Sequence, residues 1–108
     1  MKTQKPWGYF ERFSENQTST VKIITVLPKK RTSLQYHEHR SEKWFVISGN
    51  GYVWNPEKNP VQPGDEIEIP KNTIHRIEAN TELKILEISF GDFDENDIKR
   101  IEDDFGRV

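Results

Sequence analysis

The sequence predicts an all-β fold, an antiparallel barrel or jelly roll of roughly seven or eight short strands followed by one short C-terminal helix. Three observations predict it. The apolar residues are mostly β-branched or aromatic and fall in short runs. Glycine, proline and asparagine punctuate those runs at close, regular spacing. Beyond Asp94 alone does the apolar spacing change to the threes and fours of a helix.

Taken in order, the chain opens on Lys5-Pro6-Trp7-Gly8-Tyr9-Phe10, an aromatic segment with turn chemistry whose Trp7 is expected to dock on the barrel. Thr20 to Leu27 is almost wholly β-branched and reads as a strand, ended by Pro28-Lys29-Lys30. Thr32 to His37 is extended, and Trp44 to Ser48 is a buried strand. Ser48-Gly49-Asn50-Gly51 predicts a hairpin returning through Gly51 to Trp54. Asn55 to Pro60, with two prolines, and Pro63-Gly64-Asp65 are turns. Glu66-Ile67-Glu68-Ile69 alternates strictly. Ile74 to Ala79 and Leu83 to Phe90 complete the strands. Asp94 caps the expected helix, Ile98, Ile101 and Phe105 form its apolar face, and Gly106 closes it.

Composition narrows the function. A chain of 108 residues predicts one domain over 1–108. Its 16 basic and 18 acidic residues are balanced, which argues against nucleic acid or an anionic membrane as the main partner. There is no cysteine, so any metal must be held by nitrogen and oxygen. Met1 to Tyr9 lacks a signal-peptide run, and no stretch could span a bilayer, so a soluble cytoplasmic protein is expected.

The chemistry concentrates in Gln35-Tyr36-His37-Glu38-His39-Arg40-Ser41-Glu42. In an extended stretch Gln35, His37 and His39 share a face. Imidazole and carboxylate are the usual ligands of a borderline divalent metal. The third histidine, His75, follows the turn Pro70-Lys71-Asn72, where its side chain can enter a barrel.

Two segments, Lys29 to Gly49 and Gly64 to Asn80, resemble the two motifs of the cupin family. The fit places Gln35-x-His37, four residues, Glu42, six residues, Gly49 on the first motif, with Lys29 at its leading glycine and Gln35 at its first histidine. Gly64, five residues, Pro70-x-Asn72, two residues, His75 falls on the second, with Asn72 in place of a glycine. Asparagine is the next residue most tolerant of a left-handed turn. The resemblance implies Gln35, His37, Glu42 and His75 as ligands of one divalent ion (Zn, Mn, Co, Ni or Fe). It also implies a homodimer.

The Gln-x-His variant is similar, end to end, to the isomerase domain of the type II phosphomannose isomerases. Lys5-Pro6-Trp7-Gly8, Ser33 to Trp44, Ile69-Pro70, His75-Arg76 and the tail Glu102-Asp103-Asp104-Phe105-Gly106-Arg107 carry the similarity. The glycine-rich segment of the guanylyltransferase half that usually accompanies that domain is not in this sequence. The chain by itself is not expected to make a nucleotide sugar.

The resemblance implies interconversion of mannose 6-phosphate and fructose 6-phosphate through an enediolate. Such a reaction needs a Lewis acid, a base, and a cation for the phosphate. His39 is a fifth ligand, the base, or a surface histidine. Arg31, in phase with Gln35 and His37, is the first choice for the phosphate, ahead of Arg40, Lys43 and Arg76. Trp44, Val46 and Trp54 read as core. Two rivals are a non-catalytic cupin that binds a sugar phosphate or other small ligand, and a cupin dioxygenase. The glutamine among the ligands weighs against the dioxygenase.

Overall fold

The structure is a computed structural model and describes residues 2–91, 93–94 and 96–108. Its elements are β1 (Lys2–Lys5), β2 (Gly8–Glu11), β3 (Ser19–Val26), β4 (Leu34–Tyr36), β5 (Ser41–Ser48), β6 (Gly51–Trp54), β7 (Lys58–Val61), β8 (Glu66–Ile69), β9 (Arg76–Ala79), β10 (Leu83–Phe90) and β11 (Lys99–Glu102). One barrel wall is antiparallel in the order β3-β10-β5-β8. The other has β7-β6-β9, extended to β4 and β11 through bridges that join Arg31 to Glu78 and Gln35 to His75.

Alternation decides which side chains enter the barrel. Along β5, Glu42, Trp44 and Val46 are buried, while Lys43, Phe45 and Ile47 are less so. On β10 their partners are Ser89, Glu87 and Ile85. Residues directly opposite in a ladder share a face, so these six line the interior together. At one end the interior is a dry core of Val26, Val46, Val53, Ile77, Leu83 and Ile85. At the other it is polar.

The expected C-terminal helix does not form. Lys99, Arg100 and Glu102 pair instead with Tyr36, Gln35 and Leu34, so β11 supplies backbone partners to the open edge of β4. Ile101 and Phe105, read as one buried helical face, are 44% and 58% exposed. Asp94 keeps its local chemistry but uses it in a turn, accepting the Asn96 N–H at 2.9 Å.

Three further expectations are corrected. Gly49 and Gly51 do not close a hairpin, because β5 and β6 belong to opposite walls. Gly49 has φ +85°, and a Cβ on Gly51 would collide with the Glu78 carbonyl. These glycines let the chain cross between walls at close quarters. Lys58–Val61, which overlaps the turn expected at Asn55 to Pro60, is the edge strand β7, where Pro60 is tolerated. Trp7 does not dock on the barrel. It sits at the tip of the β1–β2 hairpin and is 72% exposed.

Candidate metal centre

The polar end of the barrel is built around Glu42. A carboxylate this deep in protein must be paired. Its Oε2 accepts from Arg40 Nε at 2.9 Å and lies 3.7 Å from His37 Nε2. Its Oε1 lies 3.8 Å from His75 Nε2, and neither of those two buried atoms has a hydrogen-bond partner.

Both histidines are held by the far side of their rings. His37 Nδ1 meets the Asp97 carbonyl oxygen at 2.6 Å, and His75 Nδ1 meets the Thr73 carbonyl oxygen at 2.8 Å. A carbonyl only accepts, so each Nδ1 carries the proton and each Nε2 presents a lone pair. Burial lowers the pKa of His37 and takes that of His75 down to about 4, which keeps both rings neutral near pH 7. The rings lie 5.0 Å apart, and Trp44 meets His75 edge-on at 5.4 Å. Asn72, with φ +63°, turns the chain before His75 and donates its N–H to the His37 carbonyl at 2.7 Å. That left-handed turn bears out the reading of asparagine in place of glycine. Lys29, at the other glycine position, has φ +64°.

One ligand atom each from His37, Glu42 and His75 lies within 4.8 Å of the others. Two neutral imidazole nitrogens and a carboxylate oxygen suit a divalent ion such as Zn, Mn, Fe, Co or Ni. The orphaned Glu42 Oε1 and His75 Nε2 fit the same ion, since buried polar atoms seldom go unpaired.

The other residues singled out in the sequence lie around this cluster. Gln35 exchanges both backbone hydrogen bonds with His75, so their side chains share a face. Its amide oxygen accepts from Ser33 Oγ at 2.6 Å. His39 is exposed, and its backbone N–H donates to Asp97 at 3.0 Å. Arg31 grips Asp104 with two nitrogens, at 2.6 and 2.9 Å. Lys43 pairs with Glu66 at 3.4 Å. Arg76 points away from His75, as alternation requires, yet is 0% exposed. It lies over the Trp54 ring at 5.4 Å and reaches Glu102 at 3.4 Å. Arg40 is buried against Glu42, with its Nη2 3.3 Å from His37 Nε2.

Three residues escaped the sequence reading. Asp97, given to a helix, accepts the N–H groups of Glu38 and His39. Burial alone would raise its carboxyl, but those two N–H groups outweigh burial and hold it below the usual aspartate value. Glu87 and Ser89 line the cluster: Ser89 Oγ lies 3.3 Å from Glu87 and 3.5 Å from Glu42. Burial first, then the Glu42 charge, raises the Glu87 pKa against the opposing pull of Lys22. Their signal was available, since Glu87 and Ser89 interrupt the inward apolar phase set by Leu83 and Ile85.

The family model described as mannose-6-phosphate isomerase C-terminal matches residues 1–103. The chain belongs to this family. Within the mannose-6-phosphate isomerase C-terminal family it is similar to the alginate biosynthesis protein AlgA of Pseudomonas aeruginosa. The two are 36% identical over 108 residues, covering 96% of this chain and 22% of AlgA. The mannose-1-phosphate guanylyltransferase ManC of Salmonella typhimurium is 34% identical over 108 residues, again 96% of this chain and 22% of that protein. The chain thus spans about a fifth of the length of these curated relatives. Among solved structures, a Klebsiella pneumoniae protein with a double-stranded β-helix domain aligns at TM-score 0.69 and 17% identity, covering 83% of this chain and 80% of that one. That likeness supports the cupin fold of this family member. No helix among the described residues is long and apolar enough to cross a membrane.

Proposed function

We propose that this chain is a metal-dependent aldose–ketose isomerase unit that interconverts mannose 6-phosphate and fructose 6-phosphate by moving a proton between C1 and C2 through an enediolate. The observation that carries the reading is the buried meeting of His37, Glu42 and His75, with two of the facing atoms unpaired, in a chain of the mannose-6-phosphate isomerase C-terminal family. A divalent ion held by His37, Glu42 and His75, with Gln35 as the proposed fourth ligand, would supply Lewis-acid stabilisation of negative charge on a substrate oxygen.

The chain's own residues do the rest. The Asp97 and Thr73 carbonyls lock both imidazoles in the tautomer that leaves Nε2 free. Arg40 balances the Glu42 charge and fixes the carboxylate orientation. Trp44 and the surrounding barrel keep water from the rings. His39, the histidine outside the ligand set, is the proposed proton carrier.

The isolated chain, stripped with a chelator and resupplied in turn with Zn, Mn, Co, Fe and Ni, is assayed for fructose 6-phosphate formed from mannose 6-phosphate. Turnover with at least one ion is expected, and turnover with none overturns the proposal. One observation favours a second reading, a binding protein without catalysis: the Arg40 guanidinium already supplies a permanent cation between Glu42 and His37. The same assay separates the two, because a binding protein without catalysis gives no turnover whichever ion is supplied.

A further inference from the structure

A cleft of about 400 Å³ opens between the inner face of β3 and the β4–β11 ladder, beside Gln35. Four cations line it: Lys30, Arg31, Arg100 and Arg107. Two are neutralised from within the chain, Arg31 by Asp104 and Arg107 by Asp103, at 2.6 Å each. Arg100 differs. Its side chain makes no hydrogen bond or ion pair among the described residues, which is true also of Lys30, but of the four cations its Nε alone is buried without a partner. A guanidinium donor is costly to bury unpaired. The apolar wall formed by Ile24, Val26, Ile98 and Phe105 lowers the local dielectric and strengthens any anion contact made there.

Register ties this cation to the metal centre. Arg100 pairs with Gln35 across β11–β4, and Gln35 pairs with His75 through two backbone hydrogen bonds. Directly opposed residues share a face, so Arg100, Gln35 and His75 form one cross-strand row. Two strand spacings put the Arg100 and His75 backbones roughly 10 Å apart. In an open hexose 6-phosphate, six bonds separate C2 from phosphorus, about 7.5 Å at the 3.8 Å per three bonds of an extended chain. The row is therefore long enough for one end of the sugar to lie at the ligand atoms of His75 and the other at the guanidinium.

We propose that Arg100, presented into the cleft between β3 and β11, binds the phosphate of the substrate and selects phosphorylated over neutral sugars. This inference rests on the isomerase reading for its substrate, but the anion site can be tested without turnover. Binding of inorganic phosphate to the metal-loaded chain is measured by calorimetry, and its inhibition constant is measured in the isomerase assay. Arg100→Gln is expected to weaken phosphate binding and to raise KM for mannose 6-phosphate, each by roughly 10- to 100-fold, the range for hydrogen bonds to charged groups. The value of kcat should change much less, and Arg100→Lys should recover part of the loss.

A wild-type chain that binds phosphate without turnover, with binding lost in Arg100→Gln, retains the anion site and removes the isomerase reading. A wild-type chain that does not bind phosphate, or an Arg100→Gln chain with KM and phosphate affinity within twofold of wild type, overturns the inference. Should the glutamine variant fail to fold, Arg100→Lys decides alone. Unchanged phosphate affinity and unchanged KM in that variant overturn the inference, since lysine lacks the guanidinium Nε that is buried unpaired.

Discussion

Glu42 Oε1 and His75 Nε2 face each other across 3.8 Å in the buried end of the barrel, and neither is hydrogen-bonded. The two atoms come from opposite walls, one from β5 and the other from the turn before β9. A ligand that joins them also joins the walls.

Metal addition should therefore stabilise the fold. An ion present at 100 times its Kd adds about 2.7 kcal/mol, which shifts melting upward by roughly 10 °C. Glu42→Gln and His75→Ala should lose most of that shift. Equal melting with and without each of the five ions would count against a metal at this position.

Asp97 offers a test of the corrected C-terminal segment. Its carboxylate satisfies the N–H groups of Glu38 and His39, at 2.9 and 3.0 Å, from 59 and 58 positions away in sequence. Asp97→Ala should destabilise the chain by about 1–3 kcal/mol and speed hydrogen exchange at Glu38 and His39. Unchanged exchange at those two amides would restore a helical reading in which Asp97 never meets that loop.

Stability of the metal-free chain should fall in mild acid. An unfolded histidine titrates near 6.5, whereas burial takes folded His75 down to about 4 and lowers His37 as well. Between those values the unfolded chain binds protons that the folded chain refuses, so stability falls as pH falls from 6.5 toward 4. Glu87, raised by burial and then by Glu42, has the opposite slope, since its contribution is lost as pH rises through its raised value. His75 alone costs about 2 kcal/mol between pH 7 and pH 5. Urea midpoints measured in chelator should be lower at pH 5. A midpoint that is equal or higher there sinks the account of His75.

His39→Gln should leave melting and metal content unchanged, because the side chain is exposed. As the proposed proton carrier its loss lowers kcat by about 100-fold or more, with KM little changed. A kcat equal to wild type takes His39 out of the mechanism.

Local chemistry was legible wherever one strand or one turn decides it. The β-branched run at 20–27 became β3, the alternation of Glu66 to Ile69 became β8, and Asn72 took its left-handed turn. Trp44, read as core, is buried, and the spacing shared with the cupin motifs named His37, Glu42 and His75, which the structure brings together. Residues 94–105 misled because their apolar spacing satisfies a helix, whereas the open edge of β4 demanded a strand. Backbone groups at an edge must find partners, and no periodicity within the segment reports a need that lies as far back in the chain as Leu34 to Tyr36.

The sequence by itself determined the strand-forming segments, the absence of thiolate ligands and the residue types able to hold a metal. Only the tertiary structure decided how the cations are spent. Arg40 went to Glu42, Arg31 to Asp104 and Arg107 to Asp103, while Arg100 was left facing the cleft. Charge pairing depends on distance in space, and folding alone brings Arg31 within 2.6 Å of a carboxylate 73 residues along the chain.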